Sequence, residues 1–374
     1  MQDDLGSFLR DFLEPWYISL ENPVQSQAKT LETLIKEYSK TEYGRKFLSR
    51  GHSIDDFRTT FPIAKYEDLV PYIRRVGTGE QGVLFSEPVT GWVMTRGTTG
   101  IPKVIPITET HLSQVFTNGA RAITNFALKT DPQVLAAKVL NLNFPSLVGE
   151  IHTQSGKMSY GYSSGTYAKL FPSFGETGLM PIQEDIDSLG SGISKRDWEE
   201  RFELVYEKAR GASIGSVMGV TPVILEFAYY LKKKHGLFPK DLWKMKALFC
   251  TSVAKIHSKY SPVLRHVYGD APVVEMYSAT EGVFGQQFDD LPYIRPNYDT
   301  YFFEVRTSRE VKPLSELKQR EWGSIVISSV LFPRYEIGDL VEALGKGCFR
   351  IFGRARKRTV LEHWLYNLIA LRFV

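Results

Sequence analysis

The chain has 374 residues, 43% of them hydrophobic and 24% charged, with 46 Lys and Arg against 42 Asp and Glu and only two cysteines. This composition excludes a disordered, collagen-like or disulfide-stapled chain, and the length allows about two or three units of ~150 residues. A net charge of +4 with its basic residues dispersed excludes a nucleic-acid-binding stripe, and the short clusters Lys232–His235 and Arg354–Arg358 read as solvated faces. Cys250 and Cys348 lack metal-ligand spacing, which favours a reducing cytosol. Met1-Gln2-Asp3-Asp4 has neither the basic nor the apolar region of a signal peptide, and no apolar run approaches the ~20 residues that span a bilayer. A soluble, cytoplasmic protein is expected, with its oligomeric state left open.

Along the chain, Phe8, Leu9, Phe12, Leu13 and then Leu31, Leu34, Ile35, Tyr38 recur at the three-and-four spacing of amphipathic helices. Trp92-Val93-Met94 and Val104–Thr108 read as an outgoing and a returning strand around a Gly-rich loop. Trp198, Phe202, Val205 and Ala209 line a helix that Gly211 is placed to stop. Thr221-Pro222 reads as an N-cap followed by Pro at the first helical position, opening a helix through Tyr230 toward Gly236. Val273–Tyr277, Tyr301–Val305 and Ser324–Leu331 are rich in β-branched and aromatic residues and read as strands. The alternation predicts α/β layers in one large domain, with no repeat or low-complexity linker. The closing stretch Leu361–Val374 is largely apolar and either packs on the body or awaits a partner segment; it carries little of the basic face of a membrane anchor.

Three segments carry chemistry. Thr95-Arg96-Gly97-Thr98-Thr99-Gly100-Ile101-Pro102-Lys103 combines glycines that permit close backbone approach, hydroxyl donors and a lysine, which makes an anion cradle that is not a Walker A loop. Its bland alternative is an exposed turn. Glu275-Met276-Tyr277-Ser278-Ala279-Thr280-Glu281-Gly282 places a carboxylate just past a strand end, where Glu281 can hold Mg²⁺ together with substrate phosphates; Tyr277 is either a purine platform or core. In Arg334-Tyr335-Glu336-Ile337-Gly338-Asp339, followed by Gly353-Arg354, the aspartate can accept from a ribose and the arginine can pair with phosphate; the alternatives are a turn Asp and a surface Arg.

The order of these segments, a hydroxyl- and Gly-rich loop with a lysine, then Tyr-x3-Glu, Tyr-x2-Gly-Asp and Gly-Arg, resembles the adenylate-forming superfamily. More closely it resembles the auxin-responsive-promoter (Gretchen-Hagen) family of acyl-acid amido synthetases. Further matching stretches are Thr41-Glu42-Tyr43-Gly44-Arg45, Asp56-Phe57-Arg58, Phe61-Pro62-Ile63, Tyr66–Ile73, Gly79-Glu80, Lys103–Thr108 and Tyr301-Phe302-Phe303-Glu304, so that the likeness runs over about residues 25 to 355. The resemblance implies an α/β fold: a large N-terminal adenylation domain, residues 1–352, of packed mixed β-sheets flanked by helices. Residues 353–374 are then a hinge-like segment and the truncated or divergent start of a C-terminal domain.

It also implies ATP and Mg²⁺ as cofactors, a carboxylic acid and an amino acid as small-molecule partners, and a ligase that forms an acyl adenylate and then an amide. Carried over by position, Thr95, Gly97, Thr98, Thr99, Gly100 and Lys103 hold phosphates. Thr280 and Glu281 meet the α-phosphate and Mg²⁺, with Lys103 sharing the catalytic role. Tyr277, Ser278 and Ala279 flank the adenine and acyl group, and Asp339 and Arg354 serve the ribose and phosphate. Thr251, Ser252 and Val253 form the adenine-side loop, while Gly219, Val220 and Thr221, with Ala279, wall the acyl pocket. The chain departs from the family in Thr95-Arg96 where Ser-Ser opens the loop, in Ala279, and after Arg354. A thioester-forming acyl-CoA ligase and a non-catalytic nucleotide or acyl binder are the alternatives. The Gly-x-Ser-x-Gly matches at Gly161–Gly165 and Gly211–Gly215 are discounted as hydrolase elbows because Ser213 follows a helical stretch and no Asp-then-His pair is evident. His152, His257 and His266 read as unclustered histidines.

Overall fold

The computed structural model describes residues 2–48, 53–97, 102–153, 156–171, 178–356, 359–361 and 363. The first quarter of the chain is helical: α1 Gln2–Glu21, α2 Pro23–Tyr38, α3 Glu42–Phe47, α4 Ile54–Thr60 and α5 Tyr66–Gly77. The periodicity of residues 8–38 is shared by two helices rather than one, because Pro23 opens α2 and disfavours helical backbone at Asn22. Leu31, Leu34, Ile35 and Tyr38 form the buried stripe of α2. Ser53 and Asp56 close a reciprocal capping box at the start of α4.

The remaining chain alternates strands and helices in the order β1 Gly91–Met94, β2 Val104–Ile107, α6 Glu109–Lys129, β3 Lys138–Leu140, β4 Gly149–Thr153, β5 Gly156–Tyr162, α7 Ser163–Leu170 and β6 Leu179–Met180. It continues with α8 Lys195–Ala209, β7 Ile214–Val220, α9 Thr221–His235, β8 Ala247–Thr251, α10 Ser261–Tyr268, β9 Val273–Ala279, β10 Gly282–Gln286 and β11 Arg295–Pro296. The last five strands are β12 Phe302–Arg306, β13 Val311–Pro313, β14 Trp322–Ser328, β15 Tyr335–Gly345 and β16 Cys348–Arg354.

These strands build three sheets, ordered β2-β1-β5-β4, β11-β10-β9-β8-β7-β3-β6 and β13-β12-β14-β15-β16. In the second, β6, β3, β7, β8 and β9 pair in parallel. Parallel pairing requires crossovers, which α8, α9 and α10 supply. The third sheet is antiparallel throughout, with β12 between β13 and β14. Trp92, Val93, Ile105 and Ile107 of the first sheet share one core with Phe303, Val305, Ile325 and Val341 of the third and with α2, α4 and α5. A second core packs α8 and α9 on the parallel strands through Phe202, Ile224, Phe227 and Val217. No helix among the described residues is long and apolar enough to cross a membrane.

Several element ends differ from the sequence reading, and some show a local reason. The strand from Ser324 stops at Ser328 rather than Leu331: Ser328 Oγ accepts from the Arg334 amide (3.0 Å), and Ser329 Oγ accepts from the Leu331 and Phe332 amides (3.2 Å each). Side chains thus replace the ladder and turn the chain. Helix α9 begins at Thr221 with Val220 at the cap position, so Thr221 is not the N-cap; its hydroxyl donates instead to the Thr251 carbonyl (2.8 Å). Helix α8 stops at Ala209, just ahead of Gly211 as read, its last carbonyl accepting from the indole Nε1 of Trp243 (3.1 Å). Thr108 leaves the strand to cap α6.

The third sheet is tied to the helical region by charge. Arg334, at φ 44°, donates to both carboxylate oxygens of the fully buried Glu304 (2.8 and 3.0 Å) and to the carbonyls of Arg58 and Phe61 (2.6 and 2.8 Å). Arg58 reaches the same carboxylate at 3.2 Å. Removing one member of such a set strands a buried charge. Arg334→Ala is therefore expected to lower the unfolding free energy in urea by about 3–5 kcal/mol, whereas Arg334→Met with Glu304→Leu recovers much of the loss.

Candidate functional site

The Gly-rich loop connects β1 to β2 at the turn end of their hairpin. Thr95 continues the pairing beyond the strands, its amide donating to the Lys103 carbonyl (2.9 Å) and its Oγ1 accepting from the Lys103 amide (2.9 Å). This brace fixes the base of the loop and directs Lys103 inward. Gly97 takes a positive φ of 66°. Thr98, Thr99 and Gly100 lie outside the described residues.

The lysine Nζ donates to Tyr335 Oη (3.0 Å), and Tyr335 in turn donates to Glu281 Oε1 (2.9 Å). The ammonium also lies over the rings of Tyr66 and Tyr335, 5.2 and 5.6 Å from their centroids. Burial, reinforced by the Glu281 carboxylate, pushes the Tyr335 phenol far above its ordinary range, so it remains a donor. Glu281 follows β9 and precedes β10, in the short turn where these antiparallel strands meet, and is itself buried.

Four residues after Tyr335, Asp339 also faces this region, and the step depends on Gly338. Its φ of 89° is a conformation that a side-chain-bearing residue resists, and it accompanies a register shift between Leu340 and Val341. Asp339 Oδ2 accepts from the hydroxyl of Tyr277 (3.0 Å), and Oδ1 pairs with Arg354 Nε (3.1 Å), which β16 sets directly opposite. Burial raises the Asp339 pKa, with Arg354 pulling against it. Tyr277 is thus a buried hydrogen-bonding wall as well as an aromatic surface.

Lys103, Glu281, Tyr277, Asp339 and Arg354 border one cavity of about 890 Å³, while Tyr335 bridges two of them without lining it. Thr95, Gly97, Lys103, Gly219, Val220, Thr251, Ser252, Val253, Tyr277, Ser278, Ala279, Thr280, Glu281, Asp339 and Arg354 line it. Thr221 does not. Its side chain is fully buried behind the wall and donates to the Thr251 carbonyl (2.8 Å), holding the β8 loop in place. Thr251 Oγ1 and Ser278 Oγ are 2.7 Å apart. Ser252 and Lys255 adopt positive φ, 74° and 63°, a strain that concentrates at functional loops. Val115, Phe116, Ile123, Phe171, Val139 and Met218 give the cavity an apolar arm suited to an organic substrate. A second recess of about 320 Å³, lined by Lys129, His257 and Asp289, contains none of the predicted site residues.

Sequence reasoning assigned no role to several lining residues. Arg96 lies over the Phe144 ring, 5.4 Å from its centroid, and burial depresses its pKa; the cation within a Gly-rich loop was the available signal. Tyr335, which does not itself line the cavity, lay within one of the motifs, yet nothing local marks it as the bridge between the lining residues Lys103 and Glu281. Ser163 and Tyr167 come from α7, and Glu275 from within β9. Burial raises the Glu275 carboxyl to about 7, and His257 Nε2 stands 3.4 Å from its Oε2.

Residues 17–183 match the GH3 family N-terminal domain. The 4-substituted benzoates-glutamate ligase of Arabidopsis thaliana is 34% identical over 327 residues, 74% of this chain and 56% of that protein. An indole-3-acetic acid-amido synthetase of the same plant is 35% identical over 95 residues, 25% of this chain and 16% of that protein. The chain thus spans about half the length, or less, of these curated relatives. Among solved structures, an acyl acid amido synthetase in complex with 2,4-DB superposes with a TM-score of 0.73 at 18% identity, over 95% of this chain and 70% of that one. A 2-hydroxyisobutyryl-CoA ligase in its postadenylation state does so at 0.61 and 15%, over 88% and 67%. The fold is that of the adenylate-forming enzymes.

Glu275 provides a pH test. A carboxyl near 7 in the folded state and about 4.5 in the unfolded chain holds its proton more tightly when folded. Its contribution is complete below about pH 4.5 and is lost as the pH rises through 7, a change on the order of 3 kcal/mol. Urea unfolding at pH 5 and pH 8 should therefore show a smaller loss of stability for Glu275→Gln than for the unsubstituted protein.

Proposed function

From the premise that this chain carries the GH3 family N-terminal domain, we propose that it is an ATP- and Mg²⁺-dependent ligase that adenylates a carboxylic acid and passes the acyl group to the amine of an amino acid. Residues 1–352 form the adenylation core and those from 353 onward begin a hinge, in a cytoplasmic protein. The observation that carries the reading is the convergence of Lys103, Glu281, Asp339 and Arg354 on one cavity with an apolar arm, Lys103 and Glu281 being bridged by the Tyr335 hydroxyl. The names of the relatives, which join a benzoate to glutamate or indole-3-acetic acid to an amine, support the substrate classes.

In the first half-reaction a carboxylate oxygen of the acid bonds to the α-phosphorus of ATP, and the bond from that phosphorus to the bridging oxygen breaks, releasing pyrophosphate. Both reactants are anionic, so fixed positive charge and donors must offset their repulsion. Thr95, Gly97 and Lys103 hold the phosphates, together with Thr98, Thr99 and Gly100; Thr280 donates to the α-phosphate; Asp339 accepts from the ribose. Thr251, Ser252, Val253, Tyr277, Ser278 and Ala279 enclose the adenine, and Gly219 and Val220 border the acyl group, with Thr221 supporting them from behind. In the second half-reaction the amine nitrogen bonds to the acyl carbon, AMP departs, and a proton leaves the nitrogen.

Among the described residues there is no group of three or more side chains able to hold a metal unaided. A lone carboxylate such as Glu281 fits Mg²⁺, which takes few protein ligands and completes its shell with substrate phosphates and water. Bound there, the ion would supply charge neutralisation on the phosphates.

ATP–pyrophosphate exchange with Mg²⁺ and a panel of aryl, indolyl and aliphatic acids tests the proposal. Exchange should depend on one class of acid and fall at least ~100-fold in Lys103→Ala and in Glu281→Ala. Acid-independent exchange, or variants that match the parent, would overturn it. Amide formation with amino acids rather than thioester formation with coenzyme A is the expected second step.

A further inference from the structure

The strand-to-helix turn at Gly161-Tyr162-Ser163-Ser164-Gly165 is a true elbow. Strand β5 ends at Tyr162 and α7 begins at Ser163. Both glycines are demanded by packing: a Cβ on Gly161 would stand 2.1 Å from the Ser146 carbonyl, and one on Gly165 would stand 1.9 Å from the Phe144 carbonyl oxygen. The chain is thereby pressed against the 144–146 backbone, and Ser163 faces the cavity. Its Oγ lies 3.1 Å from Thr280 Oγ1, whereas no histidine partners it among the described residues. The elbow serves something other than hydrolysis.

One helical turn later on the same face, Tyr167 Oη donates to the Thr280 carbonyl (2.8 Å). That spends the phenolic proton, so the 3.0 Å contact between Tyr167 Oη and His111 Nε2 is a donation from the histidine. His111 is fully buried and its pKa is driven down to about 3 by that burial, leaving it a neutral Nε2–H tautomer whose Nδ1 has no partner. Thr280, itself buried, is therefore gripped twice, on its carbonyl by a phenol braced from α6 and on its hydroxyl by Ser163.

Two facing hydroxyls have one proton to place between them. If Thr280 donated to Ser163, its proton would be unavailable to a ligand. If Ser163 donates, Thr280 Oγ1 accepts and keeps its own proton aimed into the cavity. An anionic oxygen meeting Thr280 selects the second arrangement, and the Tyr167–His111 pair holds the backbone while it does so.

We propose that Ser163 is a positioning residue that, with Tyr167 and His111, clamps Thr280 so that its hydroxyl proton points at the phosphate next to the ribose. The clamp deepens the adenylation reading and rests on the role given there to Thr280.

Titration with AMP and with adenosine, alongside pyrophosphate exchange, tests it. Ser163→Ala should weaken AMP binding about 5- to 10-fold, the loss of one oriented charge-assisted donor, while adenosine affinity stays within about twofold. Ser163→Thr, which keeps the donor, should restore AMP affinity. Because Ser163 acts through Thr280, Ser163→Ala combined with Thr280→Ala should bind AMP no worse than Thr280→Ala alone. Equal AMP affinity in Ser163→Ala and the parent, or losses that multiply in the double variant, would overturn the clamp. A parent that binds AMP with this Ser163 dependence but exchanges pyrophosphate with no acid would sustain the clamp and overturn the adenylation reading. Failure to bind either ligand would overturn both.

Discussion

Lys103, Tyr335 and Glu281 stand in one line of hydrogen bonds, and each comes from a different sheet. Lys103 precedes β2 of the first sheet, Glu281 follows β9 of the second, and Tyr335 opens β15 of the third. The line exists only where elements of the three sheets come together, and Lys103 and Glu281 at its two ends also border the cavity. A cation and a carboxylate are kept apart by a phenol that donates to one and accepts from the other. Their mutual attraction is moderated, and each keeps capacity for a further partner.

The same economy recurs around it. Asp339 is held by Tyr277 and Arg354, and the start of β15 is anchored by Arg334 inside a buried set with Glu304 and the 58–61 backbone. Hydrogen bonds in both directions between Ala64 and the 334–336 backbone tie the α4–α5 connection to the same strand. Tyr335 and Asp339 therefore inherit their positions from a strand whose start is fixed by contacts with the 58–64 segment. Helix α7 plays the corresponding part for the second sheet, contacting Thr280 through Ser163 and Tyr167.

Much of this was legible in the residues. The hairpin around the Gly-rich loop follows from two short apolar runs, the existence of helix α9 from Pro222, though with Val220 rather than Thr221 at its cap, and β9 from its β-branched and aromatic content. Less legible were contacts between segments distant in sequence. Thr221 reads as pocket wall from its place after Gly219 and Val220, but its hydroxyl is drawn back to the Thr251 carbonyl, 30 positions away. Tyr335 becomes the bridge only because β15 lies beside both Lys103 and Glu281, at separations of 232 and 54 residues. The Ser163 motif looks fortuitous in a chain with 30 glycines until packing against residues 144–146 makes both of its glycines obligatory.

By itself, then, the sequence determined the kinds of element, the order of the chemistry-bearing segments and the family they resemble, because periodicity, turn chemistry and residue type are local properties of the chain. Tertiary structure decided which side chains share the cavity, which proton each hydroxyl donates, and which carboxyls are shifted by burial. Those depend on distances of a few ångströms between residues that only the packing of three sheets brings together, and on a desolvation that no residue carries in its own identity.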